Sequence, residues 1–112
     1  MAALVMAGSL GVAAPASAAG YATMTVQAGA AARWDAGVYP NNLVGWVTSD
    51  GWRNPKGQSS WVKCYTDGGW ATGNYSSNRW FLAYVNIGSR PNPMWLYVHS
   101  SFVTNQSGVP RC

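Results

Sequence analysis

The sequence predicts an all-β protein, a small barrel or sandwich of about five short strands. Short runs of apolar and aromatic residues alternate with clusters of Gly, Asn, Pro and Ser, the residues that favour turns. No segment sustains the periodicity of an amphipathic helix. The 112 residues are enough for one small domain, and no internal repeat points to a second.

Four segments carry the strand pattern most clearly. Residues 43–47 are a compact apolar run ahead of a turn signal, and residues 60–66 and 94–99 are rich in aromatic and β-branched side chains. The longest such segment is 79–87. Its two faces carry Trp80, Leu82 and Tyr84 on one side and Phe81, Ala83 and Val85 on the other. Rings on both faces predict a strand that is covered on both sides or shared between the core and a binding surface.

Residues 1–19 have the composition of a signal peptide. They lack charged side chains, are rich in Ala, Leu, Val and Met, and end in small residues that fit signal-peptidase cleavage. The run is too short for a permanent membrane span. The usual basic start is missing, so we expect the natural precursor to begin upstream; a retained apolar surface helix is the alternative. We therefore predict a secreted protein without permanent membrane insertion, in which residues 20–30 are a linker or a leading edge strand.

Export decides how the two cysteines are interpreted. Cys64 and Cys112 are the only cysteines, and an even pair in an oxidising compartment predicts a disulfide. The bond would close a loop of about 50 residues and, in the chain-entropy treatment, stabilise the fold by about 4 kcal/mol. It would also hold down the C-terminal end. Two free thiols are the alternative.

The C-terminal part of the chain resembles a known family. The sequences RWF at 79–81, YVHSSFV at 97–103 and VPRC at 109–112 are similar to the ending of bacterial Src-homology-3-like (SH3-like) domains. The resemblance is to the small secreted form common in high-GC Gram-positive bacteria. Residues 57–65, with the first cysteine, resemble the middle strand of that family.

The resemblance covers residues 31–112 and implies an SH3-like domain there. The expected fold is a small barrel of about five strands with a 3-10 turn after the fourth strand. Similarity is weaker near Arg33 and at 43–45, because the Gly-Pro that the family has after the arginine is absent. Trp34, Asp35 and Ala36 stand in its place.

The only histidine lies beside two serines, a combination that raises the question of a hydrolytic site. In the resemblance this segment is the 3-10 turn, so we expect Ser100 and Ser101 to cap it by side-chain hydrogen bonds to the backbone. Phe102 and Val103 should point back into the core. Neighbouring side chains of a strand face opposite ways, which hinders pairing of a nucleophile with an adjacent base. We therefore predict structural roles for His99 and the serines.

Charged residues are too few for most catalytic or metal chemistry. There are three Asp, no Glu and one His, so with both cysteines paired we expect no metal site and no cofactor. Asp50 and Asp67 are the only pair worth considering for glycoside hydrolysis, but both occupy Asp-Gly turns, where Asp is favoured for backbone reasons. The net charge of +4 is scattered, which favours weak attraction to anionic polymers over nucleic-acid binding. We predict that the protein is not an enzyme.

Aromatic residues are the strongest functional signal. The chain has seven Trp, six Tyr and two Phe, more than the core of so small a domain can absorb. Several rings should therefore lie at the surface, where they suit an extended or polyproline peptide or the apolar face of a sugar ring. The alternative is that the rings only cover a small core.

These observations predict a secreted binding module. The family resemblance implies that the ligand is cell-wall peptide or glycan, that is, peptidoglycan. The alternative is a secreted accessory factor or enzyme inhibitor that binds another secreted protein, and the charge with many Trp lends slight support to an antimicrobial role. The candidate ligand-binding residues are Tyr39, Trp52, Asp67, Trp70, Tyr75, Trp95 and Tyr97.

Overall fold

The computed structural model describes residues 21–112, and the predicted signal peptide lies outside the described residues. The described chain is all-β, with seven strands in one antiparallel sheet and two 3-10 helices. The strands are β1 Ala22–Gln27, β2 Ala31–Arg33, β3 Leu43–Trp46, β4 Gly57–Thr72, β5 Ser76–Val85, β6 Met94–His99 and β7 Val103–Thr104. The 3-10 helices are Gly51–Arg53 and Ser100–Phe102. No helix in this part of the chain is long and apolar enough to cross a membrane.

The all-β fold, the 3-10 turn after the strand that ends in His99 and the disulfide between Cys64 and Cys112 are confirmed. The expectation of about five strands closed into a barrel is wrong, because the described chain has seven strands in an open sheet. The strand order is β3-β2-β6-β5-β4-β1-β7, and the sheet is not closed into a barrel. The short strands β2 and β7 give no alternation that a sequence could reveal, because they form only against partners already in place.

The sheet is strongly curled. Strands β1 and β2 lie four places apart in the strand order, yet only residues 28–30 join them. So short a connection forces the two ends of the sheet to approach each other across the core. Strand β1, where we expected a linker or an edge strand, pairs with β4 on one side and β7 on the other. Residues 22–27 thus belong to the same sheet as the chain that follows.

The core lies on the concave side of the curled sheet. Its side chains alternate along the strands as the pleat requires, and Phe81, Ala83 and Val85 are the members from β5. The opposite face of β5 and β6 carries cross-strand pairs, which we call the outer face. These pairs are Trp80 with His99, Leu82 with Tyr97, and Tyr84 with Trp95.

A buried glutamine joins three parts of the chain beside the core. The Gln58 amide nitrogen donates to the carbonyl oxygens of Thr48 at 2.7 Å and Asn86 at 3.0 Å. Its amide oxygen accepts from the Asn86 backbone N–H at 2.9 Å and from the Ser60 hydroxyl at 3.1 Å. All its polar groups are therefore satisfied, and the loops after β3 and β5 are fixed to β4.

The C-terminal end is held against β4. The Tyr65 backbone N–H donates to the Pro110 carbonyl at 3.0 Å, and the Cys112 N–H donates to the Tyr65 carbonyl at 2.8 Å. The disulfide to Cys64 adds a covalent link at the same place, and Val109 packs against the core. The last residues are thus fastened as the cysteine pair predicts.

Candidate functional site

Most aromatic side chains lie at the surface, as the sequence predicts. Trp80 and Phe81 are the only buried aromatic residues of the fifteen, all of which belong to the described residues. Trp95 and Tyr97 are half-buried. The exposed rings are Tyr21, Trp34, Tyr39, Trp46, Trp52, Trp61, Trp70 and Tyr75. The rings therefore do more than fill a small core.

One group of rings forms a continuous cluster on the outer face. The sheet register places Trp61 opposite Tyr84, and Tyr84 opposite Trp95, on three neighbouring strands. Directly opposite side chains are close enough to touch, and the ring centroids lie 6.0 Å and 5.0 Å apart. Tyr21 completes the cluster at 6.0 Å from Trp61 and 5.2 Å from Trp95. We call these four rings the ring platform.

A lysine is placed at the edge of the platform by a β-bulge. The pairing of β4 with β5 shifts between Val62 and Cys64, so Lys63 is the extra residue of the bulge. Its side chain is exposed, and its ammonium lies 5.3 Å from the Trp95 ring centroid, within cation–π range. The platform therefore has one positive charge at this end.

A shallow groove with polar and apolar lining residues adjoins the other end of the platform. It has a volume of about 200 Å³ and lies beside Trp61 and Tyr84, with Ser59 and Asn86 among its lining residues. Within residues 21–112, the Ser59 hydroxyl and the Asn86 side-chain amide make no hydrogen bond, whereas the Asn86 backbone is held by Gln58. Two free polar groups are thus held on rigid backbone next to exposed rings.

A second candidate site, which we call the end cleft, lies at the other end of the outer face. It is a cavity of about 260 Å³ between the loop that follows β2, the β4–β5 turn and the second 3-10 helix. Trp80 is fixed there by donation from its ring N–H to the Gly69 carbonyl at 2.8 Å. The lining residues are Gly29, Ala31, Arg33, Val38, Ala71, Thr72, Gly73, Trp80, His99 and Phe102. This composition suits an apolar side chain.

His99 and Ser101 form a buried hydrogen-bonded unit beside the end cleft. His99 Nε2 lies 2.9 Å from the Ser77 carbonyl, which can only accept, so Nε2 carries the proton. Nδ1 then accepts from the Ser101 hydroxyl at 2.7 Å, and the same oxygen accepts from the Asn74 N–H at 3.1 Å. The unit joins β5, β6 and the β4–β5 turn, an arrangement that favours a structural role.

The expected serine caps of the 3-10 turn are wrong. The helix Ser100–Phe102 has no side-chain cap, since Ser101 bonds to other elements. The Ser100 hydroxyl is buried without a partner among the described residues. The expectation for the next two residues is met, because Val103 is buried in the core and Phe102 packs against it.

Asp67, a predicted ligand-binding residue, is engaged within the protein. Its carboxylate accepts from Arg79 at 3.0 Å and from Arg111 at 3.5 Å, and both guanidinium groups lie over the Tyr65 ring. The hydrogen bond from Arg79 lowers the pKa of Asp67, and the same bond raises the pKa of Arg79. Asp50 accepts from the Ser59 backbone N–H at 2.9 Å. Both carboxylates considered for hydrolysis thus have protein partners.

The structure distributes the remaining predicted residues over separate places. Tyr39 directly follows the end-cleft residue Val38 in the chain, and Trp70 directly precedes the end-cleft residue Ala71. The Tyr75 ring lies 6.5 Å from the His99 ring. Trp95 belongs to the ring platform, and Tyr97 lies between platform and cleft. Trp52 lies on the first 3-10 helix, with the Arg53 guanidinium 5.5 Å from its ring centroid.

Three platform residues, Tyr21, Trp61 and Tyr84, are absent from the set predicted from the sequence. Alternation along β4 and along β5 indicates which face of its own strand each of Trp61 and Tyr84 occupies. Their closeness to one another depends on strand register, which is a tertiary property.

The described residues contain no group of three or more His, Cys, Asp or Glu side chains placed to hold a metal ion. A cavity of about 560 Å³ lies on another side of the molecule, with Thr25, Gln27, Lys56 and Thr104 among its lining residues. It has no aromatic lining residue. The ring platform and the end cleft therefore remain the two candidate sites.

The chain has no match among models of known protein families. Curated proteins and solved structures give no match either. The resemblance of the C-terminal part to SH3-like domains therefore stays a prediction.

Proposed function

We propose that this protein is a secreted, non-catalytic binding module that recognises cell-wall peptide or glycan through exposed aromatic side chains. The observation that carries the proposal is the burial of only Trp80 and Phe81 among fifteen aromatic residues. Large apolar surfaces that remain in water are typical of sites that bind a partner. Rings of this kind supply most of the contact energy in many such sites.

The family assignment belongs to the same proposal. We infer an SH3-like domain, and the chain order of β6, 3-10 helix and β7 supports this inference. The pairing of β7 with β1 and the packing of Val103 in the core are consistent with it. The open sheet and the pairing of β2 with β3 differ from the expected five-stranded barrel.

Secretion is supported by the disulfide between Cys64 and Cys112, because such bonds persist mainly in oxidising compartments. A non-catalytic role is supported by the engagement of the chemically capable side chains. Ser101 is buried and its oxygen already accepts from Asn74, and Asp67 is paired with two arginines. Binding through rings requires none of these groups.

The end cleft favours a second candidate function, an accessory factor or inhibitor that binds another secreted protein. Its volume of about 260 Å³ and its apolar lining suit one large side chain of a partner. Trp80 and Phe102, held by hydrogen bonds and core packing, would make a rigid floor.

Retention on purified peptidoglycan separates the two functions. We expect the full chain to sediment with peptidoglycan at low salt and to be released in part as salt rises, because the net charge of +4 contributes to binding. The reduced and alkylated chain is the control. Absence of retention at low salt would contradict wall binding and favour a protein partner, and release of soluble wall fragments would contradict a non-catalytic role.

A further inference from the structure

We propose that the ring platform and the adjoining groove bind a carboxylate-bearing oligosaccharide, with the sugar chain lying on Trp61, Tyr84 and Trp95. The inference rests on the proposed function and names the ligand class of one site.

The position of the platform within the sheet disfavours a peptide. Peptides that bind to sheets add a strand at an exposed edge, but Trp61 and Tyr84 lie on β4 and β5, which have paired strands on both sides. Trp95 lies on β6, which pairs with β5 along its length and with β2 through Tyr97 and Val98. Polyproline peptides dock in grooves lined by aromatic rings. The contacting pairs of platform rings lie 5.0–6.0 Å apart between centroids, so neighbouring rings leave no slot between them.

A sugar chain meets what the platform offers. The apolar face of a pyranose ring can lie on an aromatic ring, and it needs no backbone partner from the protein. Trp61 is 53% exposed, so it presents the largest free ring surface of the cluster that the β-strands hold in place. The free Ser59 hydroxyl and Asn86 amide, beside Trp61 and Tyr84, can exchange hydrogen bonds with sugar hydroxyl or amide groups.

The charges around the platform favour one orientation of the bound ligand. The Lys63 ammonium lies at the Trp95 end and is exposed, and within residues 21–112 it takes no part in a salt bridge. At the Ser59 end, the Asp50 carboxylate lies against the Ser59 backbone. An anionic substituent is thus attracted to the Lys63 end and repelled from the Ser59 end, which favours a carboxylate-bearing sugar in one orientation.

Calorimetric titration of the full chain tests the inference. The probes are a tetrasaccharide of alternating N-acetylglucosamine and N-acetylmuramic acid, the neutral N-acetylglucosamine tetrasaccharide, and a free wall stem peptide. We expect the carboxylate-bearing tetrasaccharide to bind more tightly than the neutral one, and the stem peptide not to bind at the platform.

Substitutions locate the site. Trp61→Ala should weaken binding of the carboxylate-bearing tetrasaccharide about tenfold, and Trp61→Phe should retain most of it. Trp52→Ala is the matched control, since Trp52 is 87% exposed but lies outside the platform, and it should bind as the wild type does. Lys63→Gln should weaken binding of the charged probe about two- to fivefold and leave the neutral probe unchanged.

The outcomes distinguish this inference from the proposed function. Equal loss in the Trp52 and Trp61 variants, or no loss in either, would overturn the platform while retention on whole peptidoglycan still stood. Binding of the stem peptide that depends on Trp61 would overturn the sugar as ligand. Shielding of Trp61 from a soluble quencher in the free full chain would also overturn the proposed sugar site. It would mean that residues 1–20 or a second copy of the chain cover the ring platform. Thermal unfolding of each variant verifies that the fold is intact.

Discussion

Trp61 and Tyr84 lie directly opposite each other on β4 and β5, with ring centroids 6.0 Å apart and ring planes 18° from parallel. The pair stabilises the sheet as well as forming the centre of the ring platform. Aromatic pairs of this kind are worth about 0.5–1.5 kcal/mol beyond the area that they bury. The two roles can be separated because they respond to different measurements.

A double-mutant cycle on this pair should show coupling. Trp61→Ala, Tyr84→Ala and the double variant should give a coupling free energy of unfolding of about 0.5–1.5 kcal/mol in chemical denaturation. Pairing Trp52→Ala with Tyr84→Ala serves as the control and should give additive effects, because Trp52 lies on the separate 3-10 helix. Additivity for Trp61 and Tyr84 would mean that the stacking is not energetically significant.

Acrylamide should quench the fluorescence of nearly all the tryptophan side chains. Of the seven Trp, only Trp80 is buried, with 2% of its surface exposed. We expect one small inaccessible component, which disappears in Trp80→Phe and persists in Trp70→Phe. Protection of most indoles would contradict the surplus of surface rings on which the proposed function depends.

Removal of the disulfide should destabilise the domain strongly. Cys64→Ser together with Cys112→Ser should lower the free energy of unfolding by about 2–5 kcal/mol. The backbone amide hydrogens of residues 65 and 112, which bond to Pro110 and Tyr65, should exchange faster in this variant than in the oxidised chain. Hydrogen exchange of the oxidised chain is the reference, and equal protection in both would show that the backbone contacts suffice alone.

Gln58→Leu should be costly although the volume is similar. The change leaves the Asn86 backbone N–H and the Thr48 carbonyl without their buried partner, at about 1–3 kcal/mol for each such group. Denaturant unfolding measures the loss. Ser59→Ala, an exposed change one residue away, should alter stability by less than about 0.5 kcal/mol, and an equal loss in both variants would place the effect outside the Gln58 network.

Stability should fall on acidification in a way that depends on Asp67. Arg79 lowers the pKa of Asp67 in the folded state below its usual value near 3.8. The stabilisation is therefore complete above that value and is lost as pH falls through the lower folded-state pKa. Thermal melting of Asp67→Asn from pH 6 down to pH 2 should show a smaller acid-induced loss than the wild type, whereas Asp35→Asn should melt like the wild type. An unchanged profile in Asp67→Asn would contradict the role of this ion pair.

The sequence by itself determined the all-β class, the disulfide and the surplus of surface rings. Each depends on local or compositional properties: alternation in segments such as 79–87, an even pair of cysteines, and more rings than a small core can hold. The tertiary structure alone decided which rings meet. Tyr21, Trp61, Tyr84 and Trp95 come from four separate positions in the chain, and only the register of the strands brings them together.

The same reason explains the differences between expectation and structure. Strands β2 and β7 are too short to leave a pattern, and the curl of the sheet follows from a three-residue connection between distant strands. Asp67 is predicted as a ligand residue from its position in an expected Asp-Gly turn, but the structure places it within β4, where Arg79 lies opposite it. Local patterns fix which face a side chain occupies, whereas its neighbours across the sheet depend on pairing over long sequence distances, which no local pattern encodes.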